Sequence, residues 1–126
     1  MTIVAIGVDA IDIDRVRRLL RANGARFVDR VFTADERAYC LSRHDPAESL
    51  AARFAAKEAV MKCLRTGWAE GIGFTQIEVQ RDANGAVSLQ LAAAARARAD
   101  ALGVRRWHLS ITHTATTATA FAIAEQ

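Results

Sequence analysis

The sequence predicts an α+β domain in which an antiparallel sheet packs with a long helix. Strand-like segments, rich in alternating or β-branched apolar residues, occur at both ends of the chain. Between them, residues 46–65 carry apolar side chains at helical spacing, and Asn84-Gly85 separates two short strand-like runs as a hairpin turn does. The 126 residues contain no linker, so we expect a single domain over 1–126.

The N-terminal segment predicts a strand followed by a helix. Residues 2–8 are apolar and β-branched and end in Gly7-Val8-Asp9, which indicates a buried strand with an acid at its C-terminal end. Asp12 can cap the helix, and Asn23-Gly24 supplies a stop signal. The helix has an apolar face of Ile13, Val16, Leu19 and Leu20, and an opposite face with a stripe of arginines, Arg15, Arg17, Arg18 and Arg21.

Two further helices are marked by the residues that begin them. Thr33-Ala34-Asp35-Glu36 has the form of a capping box and predicts a short helix to about Ser42. Asp45-Pro46 suits an N-cap followed by a first-turn proline. The long helix that follows is expected to end near Arg65 and to be closed by Thr66-Gly67.

The remainder of the chain predicts mainly strands. A strand through Phe74, Ile77 and Val79 leads into Asn84-Gly85, a two-residue hairpin signal, with residues 87–91 as its partner. An alanine-rich helix over 92–102 stops at Gly103. Alternation from Trp107 to Ile111 predicts a strand, followed by a turn at 113–114 and a last strand over 117–124.

Charged residues of the long helix fall where apolar ones are expected. On a helical wheel Lys57 lies inside the apolar stripe, Glu58 lies on its edge, and Lys62 is one turn beyond Glu58. Glu58 and Lys62 could form a surface pair while Lys57 extends outward. Alternatively, the ammonium groups of Lys57 and Lys62 bind phosphates. Glu58 would then bind a divalent metal such as magnesium, with Asp9 as a second carboxylate ligand.

Composition narrows the functional classes. The net charge of +3 favours anionic partners without identifying them. Aromatic residues make up 6% and do not interleave with basic ones, which disfavours nucleic-acid binding. Cys40 and Cys63 lack metal-binding spacing, so we expect reduced thiols. No apolar run approaches a membrane span, and a cytoplasmic location is expected.

Three motifs occur in order along the chain: Gly7-Val8-Asp9, Arg53-Phe54-Ala55-Ala56-Lys57-Glu58-Ala59 and Ser110-Ile111-Thr112-His113-Thr114. Together they resemble the holo-[acyl-carrier-protein] synthase type of 4′-phosphopantetheinyl transferase, and the similarity covers nearly the whole chain. The resemblance implies the 4′-phosphopantetheinyl transferase fold. It also implies magnesium-dependent transfer of phosphopantetheine from coenzyme A to a serine of an acyl carrier protein.

The resemblance also implies roles for individual residues. Asp9 and Glu58 would bind magnesium and, with Lys62, form the catalytic group. Coenzyme A would be held by Arg53, Lys57, Lys62, Ser110 and His113. Arg15, Arg18 and Arg21 would face the acidic carrier protein. The family's members assemble as trimers with a site at each subunit interface, so a homotrimer is expected.

The sequence departs from the family pattern in its loops. Arg65 stands where the family often has glycine, the hairpin lacks a usual proline after Gly85, and the stretch 91–94 lacks a common glycine. Two other interpretations stay open: a non-catalytic carrier-protein-binding module, and a transferase domain excised from a fatty-acid or polyketide synthase. The presence of Asp9, Glu58 and Lys62 argues against the first. The initial methionine and the end of the chain after the last strand favour a standalone protein over the second.

Overall fold

The computed structural model describes residues 2–65 and 71–126. Along the chain lie β1 (Ile3–Asp12), α1 (Ile13–Val31), α2 (Ala34–Leu41), α3 (Pro46–Leu64), a 3-10 turn (Phe74–Gln76), β2 (Ile77–Arg81), β3 (Val87–Leu91), α4 (Ala93–Ala101), β4 (Arg106–His113) and β5 (Thr117–Glu125). Strands β1, β5 and β4 form one antiparallel sheet in that order, and β2 pairs with β3 in a second. The α+β class is confirmed, with two antiparallel sheets in place of one.

The long helix α3 packs on one face of the three-stranded sheet, and small residues let it come close. The central strand β5 presents buried alanines to this face: Ala118, Ala120, Ala122 and Ala124. On β1, a side-chain carbon added to Gly7 would lie 2.0 Å from the carbonyl oxygen of Ala59. Only glycine fits there, and its contact fixes where Asp9, two residues further along β1, meets the helix.

Helix α3 is buried around most of its circumference, not on a single stripe. Its buried residues include Ala51, Ala52 and Arg53 as well as Leu50 and Phe54. The helix ends at Leu64, where Arg65 takes the left-handed conformation with φ 64°. The residues predicted to close it, 66 and 67, lie outside the described residues.

Helix α1 extends beyond its predicted end. Asn23 has non-helical angles (φ −148°, ψ 50°), so the predicted stop is a kink, and a second helical segment runs to Val31. That segment is held by tertiary packing, because Val28 and Val31 are buried and the Phe27 ring lies 5.8 Å from that of Phe54. The predicted cap at the start of α1 is present, with the backbone N–H of Asp14 donating to Asp12.

The structure differs from two local predictions and shows the effect of one missing glycine. The β2–β3 connection spans residues 82–86 in place of a two-residue turn, and the Asp82 carboxylate accepts from the backbone N–H groups of Asn84 and Ala86. Asp45 occupies the N-cap of α3, but its carboxylate accepts from Arg17 instead of capping. Ala93, in the stretch that lacks a family glycine, has φ 50°, a left-handed conformation that favours glycine.

The second face of the three-stranded sheet is exposed, so the prediction that the N-terminal strand is buried holds for only one of its faces. The apolar side chains Ile3, Ile6, Val8 and Phe121 are 43–56% exposed. Val8 pairs with Phe121 and Ile6 with Ile123 across β1 and β5, so these residues form one contiguous apolar surface. We refer to it below as the open sheet face.

Candidate active site

Asp9, Lys62 and Glu58 come together where β1 meets α3. The Lys62 Nζ atom donates to Asp9 Oδ1 at 3.1 Å and to the Val8 carbonyl oxygen at 2.8 Å. Asp9 is largely sheltered, with 18% of its side chain exposed. Lys62 therefore links the helix to the strand through Asp9, rather than forming the hypothesised surface pair with Glu58.

The two carboxylates are close enough to influence each other. Burial raises the pKa of Glu58, and the negative charge of Asp9 raises it further, while Lys62 and Arg15 oppose the rise. A pair of carboxylates that repel each other in a sheltered site suits a divalent cation, which would neutralise them. Among the described residues there is no cluster of three or more metal-ligating side chains. Two carboxylates with the remaining positions left to phosphate oxygens and water is the usual arrangement for magnesium.

Lys57 does not belong to this site, and its surroundings do not support the predicted role in binding phosphate. Its side chain has no exposed surface. The Nζ atom contacts Glu36 Oε1 at 2.6 Å and donates to the carbonyl oxygens of Phe74 and Ile77 at 3.0 and 2.6 Å. All three donors of the ammonium group are thus used inside the protein. Burial lowers the pKa of Lys57, and the charge of Glu36 opposes that fall.

Glu36 completes this internal network. Its Oε1 accepts the backbone N–H of Thr33 and its Oε2 that of Val79, so the capping box predicted for α2 is present and also ties α2 to β2. The Thr33 hydroxyl donates to Glu78 at 2.7 Å, which lowers the pKa of Glu78. The Lys57–Glu36 pair therefore has a structural role at the centre of the fold.

Arg53 and His113 line one cavity of about 330 Å³. Arg53 is 5% exposed, and its Nε has no hydrogen-bond partner among the described residues. Two residues without a predicted role, Arg43 and Arg81, line the same cavity, and so does Tyr39. A buried polar atom left without a partner is costly unless a ligand satisfies it, so this basic cavity is suited to an anion.

His113 lies in this cavity, but Ser110 does not. His113 lies at the end of β4, its Nδ1 is 3.8 Å from Glu48 Oε2, and both residues line the cavity. Ser110 pairs with Phe121 and points, with it, toward the open sheet face. Strand alternation places the two side chains on opposite faces, which the prediction from sequence spacing did not take into account.

The arginine stripe of α1 divides into two groups. Arg15, Arg18 and Arg21 are exposed as predicted, whereas Arg17 pairs with Asp14 at 2.8 Å and also with Asp45. Arg15 additionally lies near enough to Glu58 to lower its pKa. The exposed arginines thus begin at the edge of the carboxylate cluster and extend along the helix.

The described residues hold two separate clusters within one chain. The first consists of Asp9, Glu58 and Lys62, and the second is the basic cavity around Arg53. None of the residues that line the cavity belongs to the carboxylate cluster. Arg43 and Arg81 were missed because neither stands out by periodicity. A larger cavity of about 790 Å³ between β3, α4 and β4 contains none of the predicted site residues.

A model of the 4′-phosphopantetheinyl transferase superfamily matches residues 5–122 of the chain. The chain belongs to this superfamily. A holo-[acyl-carrier-protein] synthase of Chlamydia trachomatis serovar L2 is 44% identical over 120 residues, 95% of this chain and 98% of the relative. One from Solibacter usitatus is 42% identical over 123 residues, 98% of each chain.

Solved structures of such transferases show the same fold. The holo-[acyl-carrier-protein] synthase of Neisseria meningitidis matches with a TM-score of 0.91 at 32% identity, covering 99% of this chain and 100% of that one. The Bacillus anthracis synthase in complex with CoA (3′,5′-ADP) matches with a TM-score of 0.80 at 31% identity, covering 98% and 97%. The predicted resemblance, fold and transferase class are confirmed. Within the described residues, no helix has both the length and the apolar character needed to cross a membrane.

Proposed function

We propose that the chain transfers 4′-phosphopantetheine from coenzyme A to a serine of an apo acyl carrier protein. The observation that carries this proposal is the pairing of a two-carboxylate cluster at Asp9 and Glu58 with a basic cavity around Arg53. Coenzyme A has two anionic regions, a diphosphate and a phosphate monoester, and the two clusters provide a place for each. The transferases of Helicobacter pylori and Bacillus anthracis, which are similar in fold, have been solved with coenzyme A or its nucleotide.

Asp9 and Glu58 would hold magnesium together with the diphosphate of coenzyme A. When bound, the ion would neutralise negative charge on the phosphate oxygens, which is the main requirement of phosphoryl transfer. Lys62 holds Asp9 in place through its 3.1 Å contact and adds a positive charge beside the same site. The site would thus position the diphosphate for attack.

In the reaction the serine hydroxyl oxygen forms a bond to the pantetheine-side phosphorus. The bond from that phosphorus to the bridging oxygen breaks, and adenosine 3′,5′-bisphosphate leaves with the electron pair. Glu58 would accept the serine proton, because a carboxylate held at the reacting centre is suited to act as a general base. Arg53 and His113, joined by Arg43 and Arg81, would bind the phosphate monoester of the nucleotide, and Ser110 would have no direct part within its own subunit.

The partner protein would dock on α1. Arg15, Arg18 and Arg21 present an exposed positive surface next to the carboxylate cluster. An acidic carrier protein bound there would bring its serine toward Glu58. A non-catalytic binding module would share this surface but would have no use for the carboxylate cluster.

We further propose a homotrimer in which the open sheet faces pack together. An exposed patch containing Ile6, Val8 and Phe121 is what a subunit interface would cover. Assembly would bring the carboxylate cluster of one subunit toward the basic cavity of its neighbour. Residues 1–126 would act as one domain, in the cytoplasm, where carrier proteins and coenzyme A are available.

Mass spectrometry of an apo carrier protein incubated with coenzyme A and magnesium tests the activity. We expect a mass gain equal to one phosphopantetheine arm, lost when magnesium is chelated. Glu58→Gln should reduce the rate by about 100-fold or more at saturating magnesium, as loss of a general base does. Glu125→Gln, at the other end of the sheet, is the matched control. No mass gain with several carriers would favour the binding module, and a near-normal rate for Glu58→Gln would exclude its role as base.

A further inference from the structure

Three guanidinium groups surround one aromatic ring beside the basic cavity. The Cζ atoms of Arg53, Arg43 and Arg81 lie 4.4, 5.4 and 5.9 Å from the centre of the Tyr39 ring. The ring belongs to α2, whereas the arginines come from α3, from the segment between α2 and α3, and from the end of β2. Tyr39 is thus the shared contact of cations from three parts of the chain.

Positive groups brought this close repel each other, and some interaction must offset the repulsion. Arg53 has little access to water to screen its charge, because it is 5% exposed. Its Nε atom has no hydrogen-bond partner among the described residues, so hydrogen bonding alone does not fix its position. The negative face of an aromatic ring attracts a cation lying over it, most strongly where the cation is desolvated.

We infer that Tyr39 is a positioning residue, whose ring holds the guanidinium of Arg53 in the orientation that binds the phosphate monoester of coenzyme A. The inference rests on the proposed function, because that function places the phosphate monoester in this cavity. Tyr39 itself supplies no charge to the ligand and takes no part in bond breaking. It sets the affinity for the nucleotide end of the substrate through Arg53.

Steady-state kinetics of two Tyr39 variants test the inference. Tyr39→Leu removes the ring and should raise the KM for coenzyme A by about tenfold, the loss expected for a desolvated cation–π contact, with kcat within about twofold. Tyr39→Phe keeps the ring and should retain a KM close to that of the unchanged protein. With 3′-dephospho-coenzyme A, which lacks the phosphate monoester, Tyr39→Leu and the unchanged protein should have the same KM.

A double-mutant cycle with Arg53→Lys separates positioning from a general packing role. Lysine keeps the charge but loses the planar group that stacks on the ring. If Tyr39 acts through Arg53, Tyr39→Leu should raise the KM far less in the Arg53→Lys background than in the unchanged one. If the KM of the double variant rises by the product of the two single-variant increases, the two residues act independently and the inference is overturned. Thermal unfolding of each variant, measured in parallel, identifies any change that is merely a loss of folded protein.

The outcomes also distinguish this inference from the proposed function. An unchanged KM in Tyr39→Leu, with a raised KM in Arg53→Ala, overturns the positioning role and leaves the cavity as a phosphate site. An unchanged KM in Arg53→Ala overturns the assignment of the cavity, and the positioning role with it. If Tyr39→Leu does not fold, Tyr39→Phe and Tyr39→Met decide: a KM raised in the methionine variant alone supports the role of the ring, and equal values overturn it.

Discussion

At the scale of single residues, burial separates two lysines that look alike in the sequence. Lys57 and Lys62 both lie on the long helix α3, and both were expected to bind phosphate. Lys62 is 54% exposed at the carboxylate cluster, whereas Lys57 has no exposed surface and bonds to Glu36. The partner that explains Lys57 lies in a different helix, so helical periodicity could not reveal it.

Replacing Lys57 distinguishes a structural role from a catalytic one. Lys57→Met would leave the buried Glu36 carboxylate without its counter-charge, and we expect the free energy of unfolding to fall by about 3–5 kcal/mol. Urea denaturation measures the loss. The kcat and the KM for coenzyme A, assayed well below the midpoint of unfolding, should stay within about twofold, because Lys57 is sealed off from substrate. Adding Glu36→Gln should recover part of the lost stability. A selective rise in the KM would contradict the structural role.

Gly7 shows the same dependence on tertiary contact. Its place in Gly7-Val8-Asp9 is explained by the Ala59 carbonyl oxygen, which leaves no room for a side chain. We expect Gly7→Ala to lower the free energy of unfolding by about 3 kcal/mol or more, the upper range for overpacking, because backbone must move on both elements. Gly24→Ala is the control, since a side-chain carbon there meets nothing within 4 Å and the residue lies within α1. Equal effects of the two changes would show that the close approach is not the cause.

At the scale of elements, local sequence signals predicted correctly where helices begin, but they did not predict that α1 continues beyond Asn23-Gly24. The caps at Asp12 and Thr33 formed as predicted because each is satisfied within three residues. The Asn23-Gly24 signal did act, as a kink, but the chain resumed its helix because Phe27 and its neighbours pack on α3. Such contacts join residues far apart in sequence, and a local pattern does not encode them.

The exposed arginines of α1 allow a docking test at the same scale. Arg18→Glu reverses a charge that has no predicted contact with coenzyme A, and it should raise the KM for the carrier protein about tenfold or more while that for coenzyme A stays nearly constant. The effect should shrink as salt is added. Arg18 is a cleaner choice than Arg15, which acts on Glu58 electrostatically. Arg105→Glu, an equal charge change at the far end of the sheet, serves as control. A comparable rise for both substrates would rule out a specific docking role.

At the scale of the whole molecule, the structure explains why the site could be predicted only in parts. The family resemblance assigned Asp9, Glu58, Arg53 and Ser110 to one site. In the structure Asp9 and Glu58 lie close enough to influence each other. In one chain Arg53 faces a separate cavity, and Ser110 faces the open sheet face. A sequence motif reports which residues a site needs, not where the folded chain places each of them.

Mixing two impaired variants tests whether neighbouring subunits share the site. Glu58→Gln disables the carboxylate cluster, and Arg53→Ala weakens the binding of coenzyme A in the basic cavity. Each homotrimer should therefore be nearly inactive at coenzyme A concentrations well below the raised KM of Arg53→Ala. In mixed trimers, an interface is intact where an Arg53→Ala subunit supplies the carboxylates and a Glu58→Gln neighbour supplies the cavity. Random assembly of equal amounts makes about a quarter of the interfaces intact, because each of the two requirements is met half the time. We therefore expect co-expressed, differently tagged variants to recover about a quarter of the normal rate per site.

The control is Phe121→Glu in both variants, which places charge on the open sheet face. We expect this change to abolish the recovery of activity, and light scattering should then detect no trimer. Trimers that assemble without any recovery would show that each chain builds its site alone.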